Sequence, residues 1–181
     1  AYATTCCTVV ALDKNGAPLR PALMWMDVRA DKEAEAVLET GDQRLILNGN
    51  GQGPVSAEWM IPKALWLKRN EPKIFDEAVT ICEYQDYLTM RLTGERCASL
   101  NNIGLRWHYA NRDGGWASGI VEKLGMPDLL EKWPSRVAAP GEVVGNLSAA
   151  AAAELGLSTR TKLVQGGADA LIGMIGLGVS K

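Results

Sequence analysis

Asp169 is the ionisable residue whose surroundings in the sequence best suit chemistry. It follows a predicted strand and two glycines, Gly166 and Gly167, and it precedes an apolar segment of small residues. A carboxylate at such a strand-to-helix junction lies where ligands commonly bind, and it can accept a proton from a hydroxyl that is about to act as a nucleophile. Aspartate is also among the best helix N-caps, and position alone favours the cap.

Trp25 ends a predicted strand beside Asp27 and Arg29. This group suits a polyol site, in which the indole ring forms the apolar wall and the two charges act as donor and acceptor. An equally good interpretation is a solvent-facing salt bridge between Asp27 and Arg29 that follows a core tryptophan.

Three further side chains are better explained by structure than by chemistry. His108 lies between Trp107 and Tyr109 and suits a general base, but no serine or cysteine motif indicates a catalytic triad, so a structural histidine is favoured. Cys6 and Cys7 are adjacent and are not expected to pair with each other. They are therefore predicted to be small buried apolar residues.

Gly173, Gly176 and Gly178 lie in the apolar segment after Asp169. A phosphate-binding P-loop would need Lys followed by Ser or Thr, and a dinucleotide loop would need the order G-x-G-x-x-G. The segment has neither pattern. Close packing of a helix through small residues is the predicted role of these glycines.

Strands alternate with helices along the chain, which predicts an α/β domain. The predicted strands cover residues 4–12, 22–26, 79–82, 143–144 and 162–165, with an Asn-Gly turn after the first. The predicted helices cover residues 30–39, 62–70, 74–78, 85–92, 116–124, 127–132, 148–155 and 170–178, with Ser148 as an N-cap and Gly94 and Gly156 as helix ends. A glycine-rich loop is predicted at 49–54, and the polar, mixed segment 97–105 is given no element.

Composition narrows the class of protein. The 181 residues carry 19 Lys and Arg against 21 Asp and Glu, a formal charge of −2, and 47% of them are apolar. This balance argues against a nucleic-acid binder or a membrane-surface protein. The four cysteines show no CxxC spacing and the single histidine has no second to help it hold a metal, so a cytoplasmic, reduced protein without a metal site is predicted. The chain has six tryptophans but only one phenylalanine, and indole rings are suited either to contact with the apolar faces of sugars or to packing in a core.

Several segments, taken in order, resemble the FGGY family of carbohydrate kinases, which phosphorylate sugars and polyols with ATP. The matching segments are residues 16–29 (GAPLRPALMWMDVR), 58–67 (EWMIPKALWL), 86–94 (DYLTMRLTG), 106–109 (RWHY), 142–156 and 165–178 (QGGADALIGMIGLG). The resemblance extends over essentially the whole chain. It implies an RNase H-like α/β fold of the actin/hexokinase-like ATPase clan, in which sugar and ATP bind between two domains.

The resemblance also implies roles for individual residues. Asp169 matches the family's catalytic base, which shifts the expectation for this residue from cap to catalysis. Sugar-binding roles are implied for Trp25, Glu58, Arg106 and the opening strand around residues 5–8, which includes Cys6 and Cys7. No residue of this chain is assigned to a cofactor or a metal.

Within the family, the EWMIPK and RWHY segments are most similar to ribulokinases and related pentulose kinases. Xylulose kinases usually carry a histidine in the opening strand, where this chain has Cys6 and Cys7. The resemblance therefore implies phosphorylation of a pentulose, ribulose first. Xylulose, ribitol or glycerol kinase activity and a non-catalytic sugar-binding fragment remain alternatives.

The family pattern also implies parts that this sequence does not show. Residues 1–181 are expected to form the N-terminal sugar-binding domain, incomplete without the family's first phosphate hairpin, with the C-terminal ATP-binding domain absent. ATP and Mg²⁺ would then be bound mainly by those other segments, and the fragment alone is expected to be inactive. A small sugar is the expected partner, with no nucleic acid and no membrane, and a homodimer is left open.

Overall fold

The computed structural model describes residues 1–47 and 55–179, and the predicted loop at 49–54 lies outside the described residues. Short strands alternate with helices, which confirms the predicted α/β class. The strands are β1 (Val9–Leu12), β2 (Thr80–Glu83), β3 (Cys97–Ser99), β4 (Arg136–Ala138), β5 (Val143–Asn146) and β6 (Lys162–Val164). The helices are α1 (Asp31–Glu39), α2 (Met60–Asn70), α3 (Pro72–Glu77), α4 (Tyr84–Thr93), α5 (Leu100–Arg106), α6 (Ser118–Lys123), α7 (Leu129–Lys132), α8 (Ala149–Leu155) and α9 (Asp169–Gly176), with a 3₁₀ turn at Gln43–Leu47.

The strands pair two by two. β1 and β2 are antiparallel, with Val10 opposite Cys82, and β5 and β6 are also antiparallel. β3 and β4 are parallel, with Ala98 opposite Val137. The parallel pair joins parts of the chain separated by α5, α6 and α7, as parallel strands require a long connection.

The beginning of the chain is less regular than predicted. The first strand is confined to Val9–Leu12, and the predicted strand at 22–26 is absent from the described structure apart from a single bridge between Leu23 and Val9. The turn itself is present, since the Asp13 carboxylate accepts the backbone N–H groups of Asn15 and Ala17 at 2.8 Å. The prolines nearby lack the N–H that a continuous ladder needs, which accounts for the interrupted pairing.

Two strands and one helix were not predicted. The segment 97–105 contains β3 and most of α5, and β4 also lacks a prediction. These strands have three residues each, so alternation along the sequence is too short to reveal them. All three residues of β3 are buried, whereas only Ala138 of β4 is.

The main apolar core lies among α1, α2, α6 and α7, where Val37, Ala64, Ile120 and Leu129 are buried. Five of the six tryptophans lie in this core or pack against it. The rings of Trp107, Trp116 and Trp133 pack together with centroid distances of 5.0–5.8 Å.

Within residues 1–47 and 55–179, no helix has both the length and the apolar character that crossing a bilayer requires.

Candidate active site

A cavity of about 340 Å³ brings together residues from five separate parts of the chain. It is lined by Thr5, Cys6, Cys7, Trp25, Glu58, Arg106 and Asp169. The six residues singled out from the sequence thus share one cavity, although the roles assigned to them remain predictions. Three of the lining residues come from the opening segment. Trp25 lies in the loop before α1, and Glu58, Arg106 and Asp169 lie at or next to the ends of α2, α5 and α9.

Asp169 is the first residue of α9, and its side chain is exposed. The N-cap position is occupied by Ala168, which has no side-chain capping bond, so the interpretation of Asp169 as the N-cap is wrong. One carboxylate oxygen of Asp169 accepts the backbone N–H of Ala170 at 2.7 Å. Among the described residues the other oxygen accepts no hydrogen bond and is available to a ligand, as proton transfer from a bound hydroxyl would require.

Hydrogen bonds from distant segments hold the backbone at Asp169. Its N–H donates to the carbonyl oxygen of Thr4 at 2.9 Å, and the N–H of Ala168 donates to the Asn101 side chain at 2.8 Å. The carboxylate is therefore fixed relative to the opening segment, which carries Cys6 and Cys7.

Gly166 and Gly167 permit this close approach. A Cβ atom at Gly166 would overlap the backbone oxygen of Tyr2, and one at Gly167 would lie 2.6 Å from the Asn101 side-chain oxygen. Gly166 is therefore required by close contact with the Tyr2 backbone and Gly167 by close contact with the Asn101 side chain, rather than by an unusual backbone angle.

Cys6 and Cys7 are both free thiols, and the predicted burial holds for Cys7, whereas Cys6 is only half-buried. Cys7 has a left-handed backbone with φ of 70°, and its S–H donates to the Cys6 sulfur at 3.6 Å. This hydrogen bond lowers the pKa of the Cys6 thiol and, with burial, raises the pKa of Cys7. Both sulfur-bearing residues line the cavity.

Lys63 was not identified from the sequence, although it lies in the EWMIPK segment. Its side chain is fully buried in α2, and its ammonium donates to the carbonyl oxygens of Cys7 at 2.8 Å and Met24 at 2.5 Å. Burial lowers the pKa of Lys63. The ammonium links α2 to the two segments that carry Cys7 and Trp25, so it positions the cavity wall.

Trp25 is 42% exposed and lines the cavity, so it is not a core tryptophan. Asp27 and Arg29 form the salt bridge that was one of two interpretations, with Nη2 of Arg29 2.9 Å from the Asp27 carboxylate. The guanidinium also lies 4.9 Å from the Trp66 ring centroid. Among the described residues, this charged pair is separate from the lining of the cavity.

Glu58 and Arg106 supply opposite charges to the cavity. Glu58 lies just before α2, where its backbone N–H donates to the Ser56 hydroxyl at 3.2 Å. Arg106 ends α5, and its guanidinium lies 5.2 Å from the ring centroid of Trp59. With the indole of Trp25, these side chains offer an acceptor, a donor and an apolar wall, the combination that suits a polyol.

α2 begins at Met60, two residues before Pro62, the predicted first helical position. Proline is tolerated there because the first-turn N–H groups have no intrahelical acceptor.

Glu83 and Asp86 form a buried acidic pair at the start of α4 that was not predicted from the sequence. The Glu83 carboxylate accepts the Trp107 indole N–H at 2.7 Å and the Asn102 amide at 2.8 Å, and burial raises the pKa of Glu83. Burial and the neighbouring Glu83 charge raise the pKa of Asp86 to about 8. Acidic residues at helix starts are also common on protein surfaces. Their positions in the sequence therefore did not indicate that Glu83 and Asp86 are buried.

His108 is buried and packs edge-on against Trp59, with ring centroids 5.4 Å apart. Burial lowers the pKa of His108. These contacts favour the structural interpretation of this histidine over a general base.

The predicted close packing around the glycines of α9 is wrong for the described structure. α9 has no buried residue, and a Cβ atom at Gly173, Gly176 or Gly178 would meet no atom within 4 Å. The apolar side of this helix therefore faces outward, and small residues are not required there for contact.

The sequence of the chain matches the model of the FGGY family of carbohydrate kinases, N-terminal domain, over residues 2–176. It is 34% identical over 186 residues to an FGGY carbohydrate kinase domain-containing protein of Danio rerio, covering 94% of this chain and 33% of the relative. It is 30% identical over 179 residues to a xylulose kinase of Bacillus subtilis (strain 168), again covering 94% of this chain and 33% of the relative. The chain thus spans about a third of the length of the curated relatives it matches.

The fold is similar to that of ligand-bound xylulose kinase from Lactobacillus acidophilus. The TM-score is 0.84 at 20% sequence identity, over 98% of this chain and 36% of the other. This likeness supports the expected actin/hexokinase-like fold.

Proposed function

Since the chain belongs to the FGGY family of carbohydrate kinases, we propose that it forms the sugar-binding part of an ATP-dependent kinase that acts on a pentulose. The observation that carries this proposal is the exposed carboxylate of Asp169 in a cavity shared with Trp25, Glu58 and Arg106. This arrangement offers a base for a hydroxyl beside groups that hold a polyol. In the longer kinase, residues 1–181 would be the N-terminal sugar-binding domain.

In the proposed reaction Asp169 accepts the proton of a sugar hydroxyl as the hydroxyl oxygen attacks the γ-phosphorus of ATP. An oxygen–phosphorus bond to the sugar forms, the bond between the γ-phosphorus and the bridging oxygen breaks, and ADP leaves. The protein contributes position and electrostatics more than covalent chemistry in such a transfer. Rigid attachment of the Asp169 backbone to Thr4 serves that purpose.

The sugar would lie against the Trp25 indole, with hydroxyls donating to Glu58 and accepting from Arg106. Discrimination between sugars would come from these polar contacts, since a buried group left unpaired costs about 1–3 kcal/mol. Thr5 adds a hydroxyl to the same cavity.

Mg²⁺ is commonly held by one or two carboxylates together with phosphate oxygens of the substrate, and it would supply charge stabilisation on the phosphates. Within the described residues, no group of three or more His, Cys, Asp or Glu side chains suits a metal. No residue of this chain is assigned to the metal, and ATP and Mg²⁺ would be held mainly by other parts of the longer protein.

Ribulose is the first candidate substrate, because Cys6 and Cys7 stand where xylulose kinases usually carry a histidine. Xylulose is the nearest alternative, and ribitol and glycerol are more distant ones. A coupled ATP-consumption assay of the full-length protein with D-ribulose, L-ribulose, xylulose, ribitol and glycerol tests the choice. Turnover highest with a ribulose supports the proposal, and turnover confined to glycerol would contradict it.

Asp169→Asn in the full-length protein is expected to lower turnover by about 10²–10⁴-fold, the usual contribution of a general base. Sugar affinity, measured by calorimetry, should change little. Asp27→Asn is the matched control, because Asp27 pairs with Arg29 away from the cavity lining. Comparable turnover in Asp169→Asn and the unaltered protein would refute the assignment.

A second candidate is sugar binding without catalysis by the 181-residue chain itself. The coverage of about a third of the relatives favours it. Calorimetric titration should then show weak ketose binding and almost no binding of ATP with Mg²⁺, whereas tight nucleotide binding would exclude this candidate.

A further inference from the structure

Two neighbouring cysteines lie side by side where an extended strand would separate them. Successive side chains of a strand point to opposite faces. At Cys7 the backbone instead takes φ of 70°, which is rare for residues other than glycine, and the sulfurs of Cys6 and Cys7 lie 3.6 Å apart. Such an uncommon backbone conformation at a cavity is a reason to look for function.

Other contacts hold this conformation. Lys63 donates to the Cys7 carbonyl at 2.8 Å from the buried side, and Thr8, the next residue, accepts the backbone N–H of Trp25 at 3.1 Å. The two thiols are therefore presented together before any ligand arrives. Cys6 is half-buried and Cys7 is buried, and both line the cavity.

We propose that Cys6 and Cys7 form a vicinal dithiol site that chelates trivalent arsenicals, taking an aryl arsenoxide into the cavity. This inference is independent of the proposed kinase function. It depends on the sulfur positions and on the partial exposure of Cys6 in the cavity lining.

A chelate suits these sulfurs better than a disulfide does. A disulfide needs a sulfur–sulfur distance of about 2.05 Å and usually Cα atoms at least about 4.4 Å apart, whereas adjacent residues are separated by about 3.8 Å. A single atom bonded to both sulfurs can bridge them near their present separation of 3.6 Å. Trivalent arsenic in an aryl arsenoxide can bond to two sulfurs, because only one of its three bonds is to carbon.

The reaction balances without an oxidant. In water the aryl arsenoxide carries two hydroxyl groups on arsenic. Each thiol sulfur forms a bond to arsenic, each arsenic–oxygen bond breaks, and each thiol proton leaves with a hydroxyl as water. The S–H of Cys7 donates to Cys6 and favours its thiolate, so Cys6 attacks first and Cys7 closes the ring.

The experiment treats the 181-residue chain with phenylarsine oxide in the presence of excess 2-mercaptoethanol, followed by intact mass measurement. We expect one phenylarsenic group per chain, with two thiol hydrogens lost, and release by the dithiol 2,3-dimercaptopropanol. Cys6→Ser and Cys7→Ser should each retain at least about tenfold less arsenic, because a single sulfur loses the advantage of chelation. Cys97→Ser is the matched control, since Cys97 is buried in β3 outside the cavity lining, and it should retain the wild-type amount.

Absence of the adduct in the wild type, or its full retention in Cys6→Ser, would overturn the proposal. Far-ultraviolet circular dichroism checks that each variant folds. If Cys7→Ser does not fold because of its backbone conformation, Cys6→Ser, which changes a half-buried side chain, decides the matter alone.

Discussion

One buried ammonium group connects the segments that form the cavity wall. Lys63 reaches from α2 to the carbonyl oxygens of Cys7 and Met24, and its side chain is fully buried. Buried lysines are rare because removing the charge from water is costly. The backbone carbonyls compensate this cost here, and in return they are held in place beside Cys7 and Trp25.

Lys63→Met is expected to lower the free energy of unfolding by about 2 kcal/mol or more. The buried carbonyl of Cys7 would lose its partner, at about 1–3 kcal/mol, and so would the partly buried carbonyl of Met24, while removal of the buried charge offsets part of this loss. Urea unfolding measures the change. Lys68→Met is the control, because Lys68 makes a surface ion pair with Asp128 that is worth less than about 1 kcal/mol. Equal effects of the two substitutions would contradict the positioning role of Lys63.

At the scale of elements, the site depends on how helix and strand ends meet. The end of β6 passes through Gly166 and Gly167 into α9, and the opening segment lies directly against these glycines. The start of α4 is fixed by reciprocal capping, in which the Asp86 carboxylate accepts the backbone N–H of Glu83 at 3.1 Å. Asp86 also accepts the N–H of Ser99 at 3.0 Å, which joins α4 to β3.

Gly166→Ala should destabilise the fold by about 1–3 kcal/mol or more, since its Cβ would overlap the backbone of Tyr2. Gly173→Ala within α9 should instead stabilise by up to about 1 kcal/mol, because alanine is the better helix former and its Cβ meets no neighbour within 4 Å. Thermal unfolding of both variants checks the contrast. The expectation fails if the two substitutions change stability in the same direction.

Asp86 makes the free energy of unfolding depend on pH. Its pKa is about 8 in the folded chain against an ordinary value of 3.8, so the folded state binds the proton more tightly. The stabilisation that this tighter proton binding gives the folded state is complete below the ordinary pKa of 3.8. It is lost as pH rises through the folded pKa of about 8. Stability should therefore fall between pH 6.5 and 8, by up to about 1.4 kcal/mol per pH unit for one proton.

Asp86→Asn tests this dependence, since its amide cannot ionise. Urea unfolding at a series of pH values should show a smaller slope between pH 6.5 and 8, even though the variant loses one acceptor and is less stable throughout. This range lies above the folded pKa of His108, which burial lowers from 6.5, so that residue contributes little. An unchanged slope would show that Asp86 is already ionised in the folded chain.

At the scale of the whole molecule, one side is well packed and another carries exposed apolar side chains. The packed side contains the tryptophan cluster and the helices around it. On the other side, no residue of α9 or of the described residues after it, 177–179, is buried. Exposed apolar side chains there are Met174, Ile175, Leu177 and Val179.

An exposed apolar surface of this kind should bind the dye 1-anilinonaphthalene-8-sulfonate. Ile175→Glu is expected to reduce the dye fluorescence of the folded chain without lowering its stability. Val28→Glu is the control, because Ile175 and Val28 are both 62% exposed but Val28 is not part of α9. Equal reduction by the two variants would show that α9 does not form the dye-binding surface.

Local interactions account for what the sequence by itself determined. Ser148 accepts the N–H of Ala151 at 3.2 Å as the predicted N-cap, and Gly94 and Gly156 end their helices in the left-handed conformation. Such signals act within a few residues, so they can be interpreted without the rest of the fold. The α/β class and the family followed from the same kind of evidence, extended over many segments.

Tertiary structure decided the features that depend on distant partners. It turned Cys6 and Cys7 toward each other, buried Lys63 beneath them, and left α9 without the packing that its glycines suggested. Residue types alone did not predict these outcomes, because burial and charge are set by which backbone and side-chain groups arrive from elsewhere in the chain. Six cavity residues were identified from the sequence. Their contacts were determined by the packing of separate segments against each other.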